Sequence, residues 1–138
     1  MNKSYLHHVL IAVDDLDRSR RFYRDVLELK ETDRPTFDYP GLWFNIGDGQ
    51  SSIHILVRPD ATIRRNGTND PYDVHLALRV KSYRETLGWL REKGFREDLP
   101  SSDLKNIQVR PDSVTGYPQI YILDPDRNII EFNCETLD

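Results

Sequence analysis

The stretch that decides the fold is Leu6-His7-His8-Val9-Leu10-Ile11-Ala12-Val13, which Asp14-Asp15-Leu16-Asp17-Arg18-Ser19-Arg20-Arg21-Phe22-Tyr23 follows directly. The first run is short and apolar, as in a buried strand, and the second has apolar residues at helical spacing. Together they predict a strand that leads straight into an amphipathic helix.

This unit is nearly repeated later in the chain. Val74-His75-Leu76-Ala77-Leu78-Arg79-Val80 again reads as a strand, and residues 81–90 again follow as a helix. His8 and His75 stand 67 residues apart (75 − 8), and the same offset pairs Phe22 with Trp89. A fixed offset that matches strand to strand and helix to helix indicates an internal duplication.

A second pair of matching segments extends the duplication. Residues 43–55 and 120–132 both read as strand, tight turn and strand, with the first turn at 47–49. His54 and Glu131 are 77 residues apart (131 − 54), so the second copy carries ten more residues before its hairpin. Each copy is therefore predicted to be a strand, a helix and further strands that end in a hairpin.

Capping and turn signals predict the remaining boundaries. Asp14-Asp15 supplies N-cap candidates for the first helix. Ser82 and Glu85 form a capping-box pattern for the second helix, and Gly94 is its expected C-terminal glycine. Additional strands are expected at residues 29–36, 41–46 and 107–110.

Strand geometry predicts one apolar and one mixed face in each of four strands. Successive residues of a strand point to opposite sides of the sheet. His8, His54, His75 and Glu131 each alternate with aliphatic or aromatic residues of their own strand. We expect the apolar faces to be covered by helices and the four polar side chains to lie on the other side.

Imidazole and carboxylate groups together suit divalent zinc, iron, nickel, cobalt or manganese. A single strand histidine is usually a hydrogen-bonded polar residue, and we assign His7 to that class because its face carries core residues. Four such groups at equivalent strand positions of two copies favour a metal site instead. The predicted metal ligands are His8, His54, His75 and Glu131.

The composition predicts a single soluble domain and disfavours several partners. The 138 residues are 38% hydrophobic and 30% charged, with a net charge of -4, which disfavours nucleic acid and anionic membranes. No apolar run approaches the roughly 20 residues of a membrane span. The single cysteine, Cys134, is interpreted as a core thiol and suits a reducing compartment. Met1-Asn2-Lys3-Ser4 leads straight into the first strand, so we expect no signal peptide and a cytoplasmic location.

The chain resembles the vicinal oxygen chelate superfamily in motifs spread over nearly its whole length. These motifs are His8-Val9, Asp15-Leu16, Phe22-Tyr23, His75, and Asp124-Pro125-Asp126 with Asn128 and Glu131. That superfamily includes glyoxalase I, fosfomycin- and bleomycin-resistance proteins, methylmalonyl-CoA epimerase and extradiol dioxygenases. The resemblance implies an α+β fold in which two βαβββ modules pair into a curved mixed sheet around a metal site.

The resemblance also implies roles for individual residues. By the family pattern His8, His75 and Glu131 are ligands, and His54 holds the fourth ligand-bearing strand position. His54 stands where glyoxalase I usually has a glutamate, which argues against glutathione-dependent glyoxalase activity. Together with Tyr121, the same residues resemble the extradiol dioxygenase set of two histidines, one glutamate, an acid–base histidine and a tyrosine. Glycine is common in the family at the positions of two other residues, Glu28 and Arg127.

Three functions are compatible with this pattern. In a glyoxalase-like lyase or isomerase, the metal acts as a Lewis acid on adjacent substrate oxygens while Glu131 or His54 moves a proton. In an iron(II) extradiol dioxygenase, His54 is the acid–base group and Tyr121 assists. The third is a metal-free binding module, against which four intact polar positions argue. We favour the first, because compact two-module chains of this size in the family are mostly of that kind.

The expected organisation is one glyoxalase-like domain over residues 1–138. Its modules cover about 5–57 and 73–134, and residues 58–72 connect them. The expected partners are a small-molecule substrate and a second copy of the chain in a two-fold homodimer. We expect the connection to contribute to the dimer interface.

Overall fold

The computed structural model describes residues 3–47, 49–61, 64 and 66–138, apart from the side chain of residue 61. The chain divides into two compact units, Met1–Ile63 and Arg64–Asp138. In the described part of each unit, a helix follows the first strand of a four-stranded sheet. No described helix combines the length and the apolar character needed to cross a membrane.

The first unit forms a mixed sheet in the order β1-β4-β3-β2. Its first strand runs parallel to its last, and the other pairs are antiparallel. The predicted hairpin is confirmed by the pairing of β3 with β4, although Asp48 of its turn lies outside the described residues. The elements are β1 (His8–Val13), α1 (Leu16–Arg21), a π-helical turn (Phe22–Val26), β2 (Lys30–Thr32), β3 (Gly41–Asn45), β4 (Ser52–Val57) and a 3-10 turn (Pro59–Ala61).

Strand β2 is shorter than predicted, since it covers Lys30–Thr32 rather than residues 29–36. Pro35 has no N–H to donate to a ladder, so it disfavours further pairing. The Arg34 side chain turns to the loop instead, where Nη2 donates to the Tyr39 carbonyl at 3.1 Å and the guanidinium lies over the Tyr39 ring. The chain therefore leaves the sheet after Thr32.

The second unit repeats the topology of the first. Its sheet order is β5-β8-β7-β6, with β5 parallel to β8 and the other pairs antiparallel. Two βαβββ-like modules are thus confirmed. The resemblance implied one curved sheet, whereas the strands form two four-stranded sheets, one in each module. In each sheet the first strand of the module pairs with the last strand of the same module. The elements are β5 (His75–Ser82), α2 (Tyr83–Glu92), β6 (Gln108–Arg110), β7 (Gln119–Leu123) and β8 (Ile129–Thr136).

Both predicted N-caps are confirmed. Asp15 Oδ1 accepts from the Arg18 N–H at 2.8 Å at the start of α1. Ser82 Oγ accepts from the Glu85 N–H at 3.1 Å at the start of α2. Each bond satisfies one of the N–H groups that a first helical turn leaves without a partner.

Gly94 follows the C-terminus of α2, where the sequence predicts a terminating glycine. Gly94 has φ of +88° and donates to the Arg91 carbonyl at 3.0 Å. The next residue, Phe95, donates to the Leu90 carbonyl at 3.0 Å, and both side chains are buried. This pair of bonds is a Schellman motif, which favours glycine because of its positive φ.

Each sheet has a buried core on its helix-facing side, and the second sheet has a further buried cluster of Tyr121, Leu123 and Ile129 on its other face. In the first unit the Tyr23 ring contacts Phe44, with centroids 5.8 Å apart, and Phe44 pairs with the fully buried Ile53. In the second unit Cys134 is fully buried, which confirms it as a core thiol, and burial raises its pKa to about 11. This thiol is therefore neutral and unreactive near pH 7.

The interpretation of His7 as a residue of the core face is wrong. His7 is exposed and precedes β1, and its Nδ1 lies 2.9 Å from Nδ1 of His8. β1 begins at His8, so the alternation of side chains in the strand does not extend to His7.

Two residues with positive φ stand where the family often has glycine. Glu28 has φ of 55° at the end of the first helical segment, and Arg127 has φ of 68° in the β7–β8 turn. Non-glycine residues enter this left-handed region at a steric cost. This chain therefore adopts at both positions a backbone conformation that glycine takes more freely.

The β7–β8 turn is organised by the buried carboxylate of Asp124. Its Oδ1 accepts from the Asp126 N–H at 2.9 Å and the Asn128 N–H at 2.8 Å, and Oδ2 accepts from Asn128 Nδ2 at 2.9 Å. Asp124 is fully buried. These contacts explain why the motif combines aspartate and asparagine at this spacing: one carboxylate binds two backbone N–H groups of the turn and the Asn128 side-chain amide.

Part of the predicted connection packs within the second unit. Arg64 is buried and donates Nη1 to the Arg127 carbonyl at 2.8 Å. Asn69 is 1% exposed, and its Nδ2 donates to the carbonyl of Tyr121 at 2.9 Å. Residues 62, 63 and 65 of the connection lie outside the described residues. Its contribution to a dimer interface stays a prediction.

Candidate functional site

Three of the predicted site residues share one face of the second sheet, opposite the helix-facing side. Glu131 of β8 pairs with Ala77 of β5 and with Tyr121 of β7. Residues paired across strands lie on the same face, and so do residues two apart along one strand. His75 is two residues before Ala77, so His75, Tyr121 and Glu131 lie together.

Both carboxylate oxygens of Glu131 have partners, although the side chain is almost fully buried. Oε2 lies 2.8 Å from His75 Nε2. Oε1 accepts from Gln119 Nε2 at 2.9 Å and from Asn133 Nδ2 at 3.2 Å. The two amides hold the carboxylate in place and leave its other oxygen directed at the imidazole.

One contact of His75 indicates which of its two ring nitrogens carries the hydrogen when the ring is neutral. Nδ1 lies 2.8 Å from the carbonyl oxygen of Asp73. A carbonyl only accepts, so Nδ1 carries the hydrogen, and the lone pair of the neutral ring is on Nε2. At 2.8 Å the two atoms are at the distance of a hydrogen bond, and a metal ion would bind the same two atoms in place of the proton between them.

This arrangement fits two ligands of a divalent metal. Histidine ligands usually donate their other ring N–H to a carbonyl or carboxylate, as His75 does to Asp73. Zinc, iron and manganese all accept imidazole nitrogen together with carboxylate oxygen. His75 and Glu131 are therefore suited to hold such an ion.

Tyr121 borders this pair. Its ring meets the His75 ring edge-on, with centroids 5.6 Å apart. The pKa of Tyr121 is raised, mainly by burial of the phenol and to a smaller extent by the negative charge of Glu131. The phenol therefore stays protonated near pH 7 and is available as a hydrogen-bond donor. Beside Tyr121 and Gln119 opens a cavity of about 510 Å³.

The first unit carries His8 and His54 on the open face of its own sheet. His54 pairs with Leu10 of β1 and Trp43 of β3, and His8 is two residues before Leu10. The neighbouring position Ile53 belongs to the helix-covered side. His8 and His54 therefore lie away from α1, on the side that the sequence predicts.

The ring of His54 lies between two parallel rings. The His8 ring stacks on it with centroids 4.2 Å apart and an interplanar angle of 9°. The Trp43 ring stacks at 4.3 Å and 10°. His54 Nε2 also lies 3.1 Å from the Ser52 hydroxyl. The stack and this contact orient the imidazole.

The surroundings of His54 favour its neutral form. Burial contributes most to lowering the pKa of His54, followed by the positive charges that His8, His7 and Arg34 carry when protonated. The ring is therefore neutral near pH 7 and can accept a proton or bind a cation.

Stacking also limits what His8 and His54 do together. A metal ion lies close to the plane of an imidazole ligand, at about 2.0–2.1 Å from the nitrogen. Two parallel rings whose centroids are 4.2 Å apart have separate planes. In this arrangement the two rings do not bind one ion together.

The predicted site residues thus form two groups, one in each unit. His75, Tyr121 and Glu131 meet in the second unit, and His8 meets His54 in the first. Among the described residues, no three His, Cys, Asp or Glu side chains converge as a metal cluster. The set of four metal ligands therefore stays a prediction.

Four residues that contact the predicted site residues were not predicted from the sequence. They are Gln119 and Asn133, which bind Glu131, and Trp43 and Ser52, which contact His54. Ser52, Gln119 and Asn133 stand two residues from a predicted site residue on its own strand, so alternation would have found them. Trp43 lies on a neighbouring strand, and only the register places it beside His54.

The model of the Glyoxalase/Bleomycin resistance protein/Dioxygenase superfamily matches residues 5–132. The chain belongs to this superfamily. The match covers both modules and confirms the resemblance stated from the motifs.

Relatives within the superfamily carry different activities in their names. The chain is 26% identical over 141 residues to the metallothiol transferase FosB of Staphylococcus epidermidis, covering 99% of this chain and 86% of that protein. It is 27% identical over 130 residues to the lactoylglutathione lyase of Haemophilus influenzae, covering 91% of this chain and 88% of that protein.

Solved structures of the superfamily share the fold. A glyoxalase family protein from Bacillus anthracis superposes with a TM-score of 0.76 at 21% identity, over 99% of this chain and 98% of that one. The fosfomycin resistance protein FosX of Listeria monocytogenes gives 0.70 at 21% identity, over 99% and 97% of the two chains. A FosX variant has been crystallised with Mn(II).

Proposed function

We propose that the chain is a divalent-metal-dependent, glyoxalase-like enzyme of the lyase or isomerase type, acting on a small oxygen-rich substrate. The observation that carries this proposal is the pair formed by His75 Nε2 and Glu131 Oε2, 2.8 Å apart. When bound, the ion supplies Lewis acidity to adjacent oxygens of the substrate. The lyase and metallothiol transferase names of the relatives support a metal-dependent reaction of this general kind.

In this proposal His75 and Glu131 are ligands, and His8 is the third ligand by the family pattern. Glu131 is better suited to a ligand than to a mobile base, because Gln119 and Asn133 hold its second oxygen. Imidazole and carboxylate ligands suit zinc, iron, nickel, cobalt and manganese, and the Mn(II) in FosX supports manganese as a first choice for tests.

His54 is proposed as the acid–base group rather than a fourth ligand. Its ring is stacked parallel to that of His8, which opposes shared binding of one ion. Its lowered pKa keeps the imidazole neutral near pH 7, so it can take a proton from the substrate. Tyr121 is proposed to donate a hydrogen bond to a substrate oxygen, because its phenol stays protonated.

The ligand assignment is tested by titrating Mn(II) into wild type and His75→Ala, with elemental analysis of the bound metal. We expect His75→Ala to weaken binding by more than about 100-fold, since even residues that only orient a ligand contribute 10–100-fold. Arg84→Ala is the control, because Arg84 is exposed on α2, pairs with Asp138 and is not a proposed ligand. Equal Mn(II) affinity in His75→Ala and wild type, both folded by circular dichroism, would contradict the proposal.

The role of His54 is tested with His54→Ala. An acid–base group acts in the transition state, so this variant should keep its Mn(II) affinity and lose turnover. A suitable first reaction is the consumption of fosfomycin, the compound in the printed name of FosX. A loss of Mn(II) affinity like that of His75→Ala would instead identify His54 as a ligand.

An iron(II) extradiol dioxygenase is the second candidate function. The contact of Tyr121 with His75, beside Glu131, favours it, because that chemistry uses a tyrosine near a two-histidine, one-carboxylate site. Oxygen consumption with catechol and iron(II), abolished by His54→Ala and unaffected by glutathione, would replace the first proposal with this one. A chain that binds neither metal would instead indicate a metal-free binding module.

We also propose that the chain works as a two-fold homodimer in the cytoplasm. The family pattern of sites shared between chains supports the dimer. The single buried, reduced Cys134 supports a reducing compartment.

A further inference from the structure

A buried arginine joins the starts of the two parallel strands that carry His75 and Glu131. These strands, β5 and β8, begin side by side in the second sheet. Arg64 is buried, and its Nη1 donates to the carbonyl of Arg127, two residues before β8, at 2.8 Å. Its Nη2 lies 3.3 Å from Oδ2 of Asp73, two residues before β5. One guanidinium therefore contacts the segments that lead into both strands.

Asp73 connects this guanidinium to the imidazole of His75. The Asp73 carbonyl oxygen lies 2.8 Å from His75 Nδ1. Its carboxylate Oδ1 accepts from the Val74 N–H at 2.7 Å, and its own N–H donates to the Asp70 carbonyl at 3.1 Å. Bonds to the side chain and to the N–H of Asp73 thus fix the carbonyl that binds the ring.

The connecting segment is folded around the Arg64 side chain. Nη2 also donates to the Thr68 carbonyl at 2.7 Å, and the Gly67 N–H donates to the Arg64 carbonyl at 2.7 Å. A Cβ at Gly67 would lie 2.6 Å from Arg64 Nη2, so glycine leaves the space that the guanidinium occupies. A buried charge is tolerated when it is paired and hydrogen-bonded, as this one is. These contacts hold the guanidinium in one position.

The His75 ring depends on such support because packing alone does not fix it. Its side chain is 28% exposed, and Nε2 lies 2.8 Å from Glu131. A ring that rotates away from the Asp73 carbonyl also turns Nε2 away from Glu131. Groups that hold the other nitrogen of a histidine ligand set its orientation and its affinity for a metal.

We infer that Arg64 is a positioning residue, which acts through Asp73 to hold the His75 imidazole with Nε2 directed at Glu131. The inference rests on the proposed function, because it takes His75 as a metal ligand. It gives the connecting segment a role in the metal affinity of the second unit.

Titration of Mn(II) into the full chain tests this inference with Asp73→Ala, Arg64→Gln and the double variant. Asp98→Ala is the matched control, because Asp98 forms an exposed ion pair with Arg96 in the same unit. The Asp73 side chain is half-exposed, so Asp73→Ala carries the test if loss of the buried Arg64 unfolds the chain. Urea denaturation measures the stability of each variant in parallel.

We expect Asp73→Ala and Arg64→Gln each to weaken Mn(II) binding by about 10-fold, as is typical for residues that orient a ligand. The double variant should bind Mn(II) no more weakly than Arg64→Gln alone, because residues that act through one contact are not additive. Asp98→Ala should bind Mn(II) as wild type does. Variants that are less stable than wild type but bind Mn(II) equally well when folded would overturn the inference.

A second measurement needs no metal. In the metal-free chain, NMR should show a His75 Nδ1–H resonance that the Asp73 carbonyl protects from exchange with water. Asp73→Ala and Arg64→Gln should lose this resonance through fast exchange, and Asp98→Ala should keep it.

An Nδ1–H resonance that persists in both Asp73→Ala and Arg64→Gln would overturn the inference. Failure of the proposed function looks different, because wild type then does not bind Mn(II) and the resonance of the metal-free chain alone decides whether Arg64 and Asp73 position His75.

Discussion

At the scale of single residues, the neighbours of His54 constrain both the orientation and the protonation of its ring. The ring lies between the rings of His8 and Trp43, and burial lowers its pKa from the ordinary value of 6.5. We expect an NMR titration of the metal-free protein to give a midpoint below 6.5 for His54. The Trp43→Ala variant should raise that midpoint, because it exposes the ring to water.

This shift has a defined effect on stability. The folded chain binds a proton at His54 less readily than the unfolded chain does. The contribution of His54 to the free energy of unfolding is therefore fully present above pH 6.5 and is lost as the pH falls through the folded pKa. A midpoint at or above 6.5 in the folded protein would contradict the role assigned to burial. Trp89→Ala, in the second unit, is the control that should leave the midpoint unchanged.

Glu28 is a second residue whose conformation departs from the norm. Its φ of 55° strains an L-residue, and glycine adopts it freely. We expect Glu28→Gly to raise the free energy of unfolding by about 1 kcal/mol, measured by urea denaturation. The control Glu92→Gly, at the end of α2, should lower it by about 0.5–1 kcal/mol, because glycine disfavours a helix. Destabilisation by Glu28→Gly would show that this side chain contributes more than its backbone strain costs.

At the scale of elements, a glycine within α2 and another just after its C-terminus have opposite expected effects. Gly94 has φ of +88° in the Schellman motif, whereas Gly88 lies within the helix with open space around its Cβ position. Gly94→Ala should destabilise the protein by about 1 kcal/mol, and Gly88→Ala should stabilise it by about 0.5–1 kcal/mol. Thermal unfolding of the two variants tests this contrast. A shift of the same sign in both would contradict the assigned C-terminus of α2.

At the scale of the whole molecule, the proposed homodimer has a candidate surface in the edge strand β1. β1 lies at the edge of its sheet, and Leu10 on it is 55% exposed. Exposed apolar edge strands favour pairing with another chain. We expect sedimentation of a dimer at micromolar concentration and a shift towards monomer in Leu10→Lys. Val114→Lys is the control, because Val114 is fully exposed in a loop. A wild-type monomer that still binds Mn(II) would contradict a shared site.

The sequence by itself determined the architecture of each module and the candidate ligands. The 67-residue offset, the alternation in the strands and the capping residues Asp15, Ser82 and Gly94 are local signals, and the structure follows them closely. The length of β2 and the exposure of His7 were not predicted correctly, because local sequence patterns do not determine how far a strand remains paired.

Only the tertiary structure decided which side chains meet. Gln119 and Asn133 bind Glu131, and Trp43 stacks on His54, because the strands pair in one particular register. Register depends on contacts between segments far apart in the chain, so local periodicity does not contain it. The same reason separates the four predicted ligands into a pair on each sheet, with His75 at hydrogen-bond distance from Glu131 and His8 stacked on His54.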